Sequence, residues 1–260
     1  SGQLDMDRLD YLGRDSFFTG VAEGVVGIDR IIKMLEIHDD QLVVESKGVY
    51  SIEKFLIARR LMYWQVYLHK TVLAADAQLI NLLRRARVLV RGGVSLHATP
   101  SFKVFLENSL TLNDFVENRE INGLGVLEHF MLLDDTDILS AVKVWQLHPD
   151  FILSFLAKGL IDRKLFTARI LEAPMSQRDL KSMKKEVAQK FGITLKDADF
   201  LMVYREVSNS AYSALTGNIM ILDKHDNLMD IRQASDINLS VLTKMARKFF
   251  ISFPKELVFN

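Results

Sequence analysis

Three polar side chains at a spacing of four, Asp7, Tyr11 and Asp15, constrain the start of this chain more than any other feature. At about 100° per residue they share one helix face, with Met6, Leu9 and Leu12 on the opposite, core-facing side. Arg8 and Arg14 flank the polar face. The expected element is an amphipathic helix that ends between Gly13 and Gly20. Two carboxylates, a phenol and two guanidiniums are costly to bury unpaired, so their concentration points to a metal or a phosphorylated ligand.

Composition narrows the remaining possibilities. With 260 residues, the chain has enough length for one large or two modest domains. Its 33 basic and 33 acidic residues cancel, so anion recognition must come from local clusters rather than from a global field. The absence of cysteine excludes disulfides, thiolate metal sites and a cysteine nucleophile, and it fits a reducing, cytoplasmic setting. No apolar run reaches the roughly 18 residues that a membrane helix needs, so no membrane partner is expected. The chain begins at Ser1 rather than at Met, and is expected to be the C-terminal part of a longer protein.

The pattern along the chain predicts a mainly α protein with a C-terminal α+β subdomain. A hairpin is expected from Leu35 to Glu45 about a His38-Asp39-Asp40-Gln41 turn. A helix from Ser51 to about His69 follows, with Ile57, Leu61, Trp64 and Leu68 as its core stripe. The next, from Thr71 to Val90, should turn Leu73, Ala77, Ile80 and Leu83 inward and end in the Arg84-Arg85-Arg87 cluster, which suits a helix C-terminus. Further helices are expected after Pro100, from Asn122 to Leu133, after Asp135-Thr136 with Leu139, Val142 and Trp145 inward, and from Pro149 to a stop at Gly159. A boundary is placed near 160, dividing residues 1–160, a helical region with a hairpin, from residues 161–260. In the second part strands are expected at Lys164–Leu171 and Phe200–Val207, flanking a helix capped by Ser176 and stopped by Gly192. A hairpin about Lys224–Asn227 and a final helix from Ser235 to about Lys248 complete a small antiparallel sheet covered by helices.

A second constellation lies on the Ser51–His69 helix. Opposite the expected stripe, Arg59, Tyr63, Tyr67 and Lys70 fall on one face. Tyrosines interleaved with cations suit a ring beside a polyphosphate, since aromatic faces stack and arginine offers a planar fork to phosphate oxygens. A solvated face with tyrosines reaching out from the core accounts for the same pattern.

The run Gln3-Leu-Asp-Met-Asp-Arg-Leu-Asp-Tyr-Leu-Gly-Arg-Asp-Ser16, the following Phe18-Thr-Gly20, and Arg59 with Met62-Tyr-Trp-Gln-Val-Tyr-Leu-His69 resemble the HD-domain phosphohydrolases, in particular the deoxynucleoside triphosphate triphosphohydrolase subgroup. The resemblance implies a helical HD-type region. It also implies Asp7 as the last aspartate ligand of a divalent metal centre (Mg, Mn, Fe or Zn) and Arg8 and Tyr11 along the phosphates. Asp15 would accept a sugar hydroxyl, Arg59 would hold a terminal phosphate, and Tyr67, with Tyr63 beside it, would pack on sugar or base. It further implies a homo-oligomer and a regulatory nucleotide near Arg30, Lys47, His69 and Lys70. The products would be a deoxynucleoside and inorganic triphosphate.

The same family centre needs a histidine and a His-Asp pair upstream of Asp7, and these are expected to lie in polypeptide before Ser1. His38-Asp39 and His225-Asp226 read as turns. One carboxylate cannot hold a catalytic divalent ion, so the chain alone is expected to bind no metal and to be inactive. His97, His129 and His148 have no ligand spacing and are expected at the surface or half-buried. The basic helix carrying Arg178, Lys181, Lys184, Lys185 and Lys190 reads as a solvated face rather than a nucleic-acid surface. The alternative to an enzyme portion is a non-catalytic nucleotide-sensing or assembly module.

Overall fold

In the computed structural model, residues 3–209, 218–239 and 246–258 are described. The contacts group the chain into two compact units, residues 1–72 with 206–249 and residues 73–205 with 250–260. This grouping differs from the sequence expectation near 160, because the second half of the chain returns to the first unit after Arg205 and leaves it again at Phe250.

The first helix, α1 (Met6–Thr19), is capped by Asp5, whose carboxylate accepts from the Arg8 N–H, and ends at Gly20 with φ 70°. Leu9 and Leu12 are buried as expected, but Met6 is 46% exposed because it sits at the helix's open first turn. After α2 (Ile28–Lys33), strands β1 (Leu35–His38) and β2 (Gln41–Glu45) form the expected hairpin, with Asp39 and Asp40 taking positive φ in the turn. Helix α3 (Val49–Met62) runs into a π-helical turn, Tyr63–Tyr67.

Its buried face is Ile52, Phe55, Leu56, Arg59 and Met62, about one position out of phase with the expected stripe. Ile57 is exposed, and Leu61, Trp64 and Leu68 are only half-buried. The wider π turn also breaks the 3.6-residue register on which that stripe was counted. These elements close over a core of Leu9, Leu12, Ile31, Ile52, Phe55 and Leu56.

Helix α4 (Lys70–Arg91) follows, burying Leu73, Ala77, Gln78, Asn81 and Leu82, whereas Ile80 is 46% exposed. Leu82 rather than Ile80 lies in the inward stripe, on the face that also turns Gln78 and Asn81 in. Pro100 opens α5 (Pro100–Glu107), and Thr111 caps α6 (Leu112–Val116). The helix expected over Asn122–Leu133 is shortened by a small hairpin, β3 (Glu120–Ile121) and β4 (Leu124–Gly125). Asn122 and Gly123 hold its turn at φ 53° and 84°, a conformation that Asn-Gly favours.

Helix α7 (Val126–Met131) then precedes α8 (Asp135–Trp145), capped by Asp134. Val142 and Trp145 are buried there, but Leu139 is 53% exposed on the far side. Helix α9 (Phe151–Ile161) is capped by Asp150 and runs through Gly159 rather than stopping at it. A Cβ at Gly159 would stand within overlap distance of the Gln78 amide, so glycine serves close packing there.

Strand β5 (Thr167–Leu171) and α10 (Gln177–Phe191), capped by Ser176 and ended by Gly192, match their expected places. Strand β6 (Val203–Asn209), the hairpin β7 (Met220–Leu222) and β8 (Leu228–Asp230), the short α11 (Ile231–Ala234) and β9 (Ala246–Phe253) complete the described chain. Residues 246–248 of the expected final helix are therefore strand, in the β-branched and aromatic run leading to Phe253. Residues 240–245 of that expected helix lie outside the described residues.

The fold is mainly α with small sheets, as the sequence pattern implies. One sheet has the order β1-β2-β7-β8, in which β2 and β7 pair in parallel and the other pairs are antiparallel. The late hairpin thus joins the early one instead of β5 and β6. A second sheet has the order β5-β9-β6. The core of the larger unit gathers Leu82, Phe102, Trp145, Leu153, Leu156 and Val187.

Candidate functional site

The site lies within the first unit, where α1 meets the end of α3 and its π turn. Burial of Leu9 and Leu12 fixes the rotation of α1 and so turns Tyr11 and Asp15 toward that end. The Tyr67 hydroxyl donates to Asp15 Oδ2 at 2.8 Å. Tyr67 meets both Tyr11 and Tyr63 edge-to-face, at centroid separations of 5.8 and 5.2 Å. Edge-to-face contacts of this kind add a modest stabilisation and fix ring orientation. A regular α turn would rotate Tyr67 further around the helix; the π turn keeps Tyr63 and Tyr67 side by side.

Arg59 stands at the centre of the cluster at 9% exposure. Its Nη1 donates to Gln3 Oε1 at 3.1 Å, and its guanidinium lies 6.0 Å from the Tyr63 ring centroid. Its buried Nε has no hydrogen-bond partner, and among the described residues no carboxylate pairs with it. Burial, followed by the repulsion of Arg8, lowers the pKa of Arg59. Arg8 is half-buried and donates from Nη1 to the Gln3 carbonyl at 3.1 Å, with Asp5 3.7 Å from its Nε.

Burial and the neighbouring Tyr63 raise the Tyr11 phenol; burial and the hydrogen bond to Asp15 raise that of Tyr67. Both phenols therefore stay neutral hydrogen-bond donors across the physiological range. The cluster pairs two cations with only peripheral carboxylates, an arrangement suited to receiving an anion.

Of the residues expected at the site, Tyr11, Asp15, Arg59, Tyr63 and Tyr67 come together, with Arg8 coupled electrostatically to Tyr11 and Arg59. Arg59 was expected on an open face and instead lies on the buried one, because the phase of α3 is shifted. Asp7 is exposed in the first turn of α1, with no hydrogen bond or ion pair among the described residues; an acid there also complements the helix dipole. Lys70 is exposed at the start of α4.

The Arg30 Nη2 donates to the Lys47 carbonyl at 3.3 Å, and Lys47 pairs with Glu45 at 3.7 Å. His69 Nδ1 accepts from the Thr71 N–H. Among the described residues no hydrogen bond or ion pair joins His69 or Lys70 to Arg30 or Lys47, so these four do not form one cluster by direct contact. Gln3, the residue that satisfies Arg59, was missed as a site residue. Its only sequence signal is a polar residue just before the Asp5 cap.

Among the described residues, no three histidine, aspartate or glutamate side chains converge on a point that could hold a metal ion. His38-Asp39 and His225-Asp226 lie at turns, with Asp39 and Asp226 at positive φ; the Asp223 carboxylate accepts from the N–H groups of His225 and Asn227. His129 was expected at the surface or half-buried but is 2% exposed. Its ring is held between the Ser101 hydroxyl and the Ile121 carbonyl, which allows a polar ring in the core.

Residues 26–96 match the family described as HD associated region. The chain is 30% identical to the uncharacterized protein YwfO of Bacillus subtilis over 269 aligned positions, covering 99% of this chain and 57% of that protein. A crystal structure of a phosphohydrolase from Bacteroides thetaiotaomicron superposes with a TM-score of 0.89 at 45% identity, covering 98% of this chain and 62% of that one. A segment covering 26% of this chain is 33% identical to a Dictyostelium discoideum protein described as a deoxynucleoside triphosphate triphosphohydrolase homolog, of which it spans 13%. The chain thus spans little more than half the length of the first two relatives. No helix among the described residues is long and apolar enough to cross a membrane.

Proposed function

Starting from a chain whose residues 26–96 match an HD associated region, we propose that it belongs to the HD-domain phosphohydrolases and forms part of a metal-dependent enzyme that cleaves deoxynucleoside triphosphates to deoxynucleoside and inorganic triphosphate. One observation carries this reading: Arg59 is a buried guanidinium with no carboxylate partner among the described residues, beside Arg8 and against a tyrosine cluster anchored on Asp15. An isolated buried cation is expensive in the empty protein, and an arriving polyanion relieves that cost. Arg59 and Arg8 take up triphosphate charge. Asp15 keeps Oδ2 on Tyr67 and offers its other oxygen to a sugar hydroxyl. The Tyr11 and Tyr67 rings set the width available to the sugar.

The described residues of this chain do not fit a complete divalent centre, since Asp7 is a single candidate ligand among them. In the proposal the remaining ligands come from polypeptide outside the chain, within the length that its relatives have in excess. When bound, the ion supplies an activated water and withdraws charge from a phosphoryl oxygen. The similarity to the Dictyostelium protein supports the choice of substrate.

The test is a comparison of the 260-residue chain with a form extended at its N-terminus to the length of its relatives, each given divalent metal and the four common dNTPs. Triphosphate release by the extended form, absent from the shorter one, is expected. Phosphate or pyrophosphate as the inorganic product would contradict the assigned bond cleavage, and no release from any dNTP would contradict the substrate class. A non-catalytic nucleotide sensor would instead bind a dNTP without turnover.

A further inference from the structure

A second polar cavity lies wholly within the other unit, between the middle of α4, α10 and the start of β6. It measures about 750 Å³, inside the range of pockets that enclose small-molecule ligands. Its rim carries Arg84, Lys181, Lys184 and Arg205 against the single carboxylate Asp199. Lys184 neutralises that carboxylate at 2.5 Å. Among the described residues the other three cations have no ion pair, and Arg205 Nε is buried without an acceptor. The Arg205 guanidinium lies 5.7 Å from the Phe250 ring centroid, which holds it in place.

The floor is of another kind. Ile80, Leu180 and Met202 supply apolar surface, and the Tyr204 ring is fixed by its hydroxyl, which accepts from the Met175 N–H at 2.9 Å. The sequence pattern gives reasons for both features. Ile80 is exposed because it faces this cavity rather than the core, and Lys181 and Lys184 stand one turn apart on α10, so both reach the same rim. Arg85, next to Arg84, is engaged elsewhere by Asp150 and Asp197, whereas Arg84, on this side of α4, has no ion pair among the described residues.

We propose that this cavity is a binding site for a phosphorylated small molecule that joins two or three phosphates to a planar or apolar group, distinct from the Arg59 cluster. Cations at the rim take the phosphates, and the Ile80–Leu180–Met202 floor with Tyr204 takes the remainder. The ligand is compact rather than a long chain. Further along α4, Arg87 and Arg91 both donate to the Asn108 carbonyl, and Arg91 also to the Ser109 hydroxyl, so part of their donor capacity is already taken and neither lines this cavity.

The experiment is a calorimetric titration of the full chain with ATP, inorganic triphosphate, adenosine and an oligothymidylate. It is carried out in an Arg59→Met background, which weakens any binding at the first site. ATP is expected to bind saturably with one equivalent. The double substitution Arg84→Ala/Lys181→Ala, at two exposed positions, should weaken it at least tenfold, and Ile80→Asp should do the same by placing a like charge on the floor. Lys190→Ala, on α10 but outside the lining, should change nothing. Absence of ATP binding, or ATP binding indifferent to the double substitution, would overturn the site. Inorganic triphosphate binding as tightly as ATP would overturn the role of the floor. Tighter binding of oligothymidylate, lost in the double variant, would overturn the commitment to a compact ligand.

Discussion

Replacing Arg59 by methionine separates a cation kept for a ligand from one kept for the fold. Methionine retains most of the apolar stem but removes the guanidinium. The folded protein then loses the bond to Gln3, about 1.5 kcal/mol for a hydrogen bond from a charged donor. It also loses the contact with the Tyr63 ring, roughly 0.5–1 kcal/mol. Against this, it is relieved of a buried Nε without an acceptor, about 1–3 kcal/mol, and of the repulsion between Arg59 and Arg8.

The two sides nearly cancel, so urea unfolding should place the variant within about 1 kcal/mol of the parent. Breaking an ordinary buried ion pair would cost about 3–5 kcal/mol. In the extended protein, the same substitution should weaken dNTP binding by about 1.5–3 kcal/mol, roughly 10- to 150-fold, with a smaller effect on a deoxynucleoside monophosphate. A stability loss above 3 kcal/mol would refute the reasoning, because Arg59 would then be a structural anchor. Equal losses for mono- and triphosphate would refute its assignment to a terminal phosphate.

Arg85 provides the contrast. It meets Asp150 through Nε and Nη2 at 3.0 and 2.5 Å and Asp197 through Nη1 at 2.8 Å, so Arg85→Met should destabilise by about 2–4 kcal/mol and Arg85→Lys by less, measured by urea unfolding. Burial opposes ionisation of Asp150, but its bonds from Arg85 and the Leu153 N–H hold its pKa below the usual carboxylate range. That part of the stability is present above about pH 4 and is lost on acidification through the lowered value; Arg85→Met should flatten this acid limb.

Tyr67→Phe should cost about 1 kcal/mol through the lost bond to Asp15. Because the folded Tyr67 and Tyr11 pKa values are raised, the unfolded chain releases these protons first, and stability should fall as pH rises above about 10; Tyr67→Phe should make that fall shallower. At Gly24 a new Cβ would stand 2.5 Å from Met62 Sδ and 2.8 Å from Ser16 Cβ, so Gly24→Ala should lower stability by about 1–3 kcal/mol in thermal unfolding.

The sequence disclosed local structure better than it disclosed phase and partnership. The spacing of Asp7, Tyr11 and Asp15 predicts a helix, and the Asp5 cap and Gly20 end are local signals that α1 obeys. Ser176 and Gly192 mark α10 for the same reason. The phase of α3 was not legible. Arg59 looks like a solvent residue to any count of apolar side chains, and only packing against Gln3, Tyr11 and Tyr63 makes its burial tolerable. Nor does a periodicity of 3.6 announce a π turn, although that turn is what brings Tyr63 and Tyr67 onto Tyr11.

Long-range pairing was equally hidden. The β7–β8 hairpin is evident from its turn residues, but its parallel seat on β2 depends on contacts nearly 180 residues apart in the chain. Arg84 and Lys181 each read as surface charge; their meeting over one cavity is a property of the fold alone.

In the proposed enzyme Asp7 is a metal ligand rather than a helix-terminal charge. The direct measurement is triphosphate release from dNTP by the N-terminally extended protein and its Asp7→Asn variant, with bound metal quantified in both. The account predicts loss of release together with loss of metal, while the fold, followed by circular dichroism, stays intact. Undiminished release by the variant, with metal retained, would contradict it.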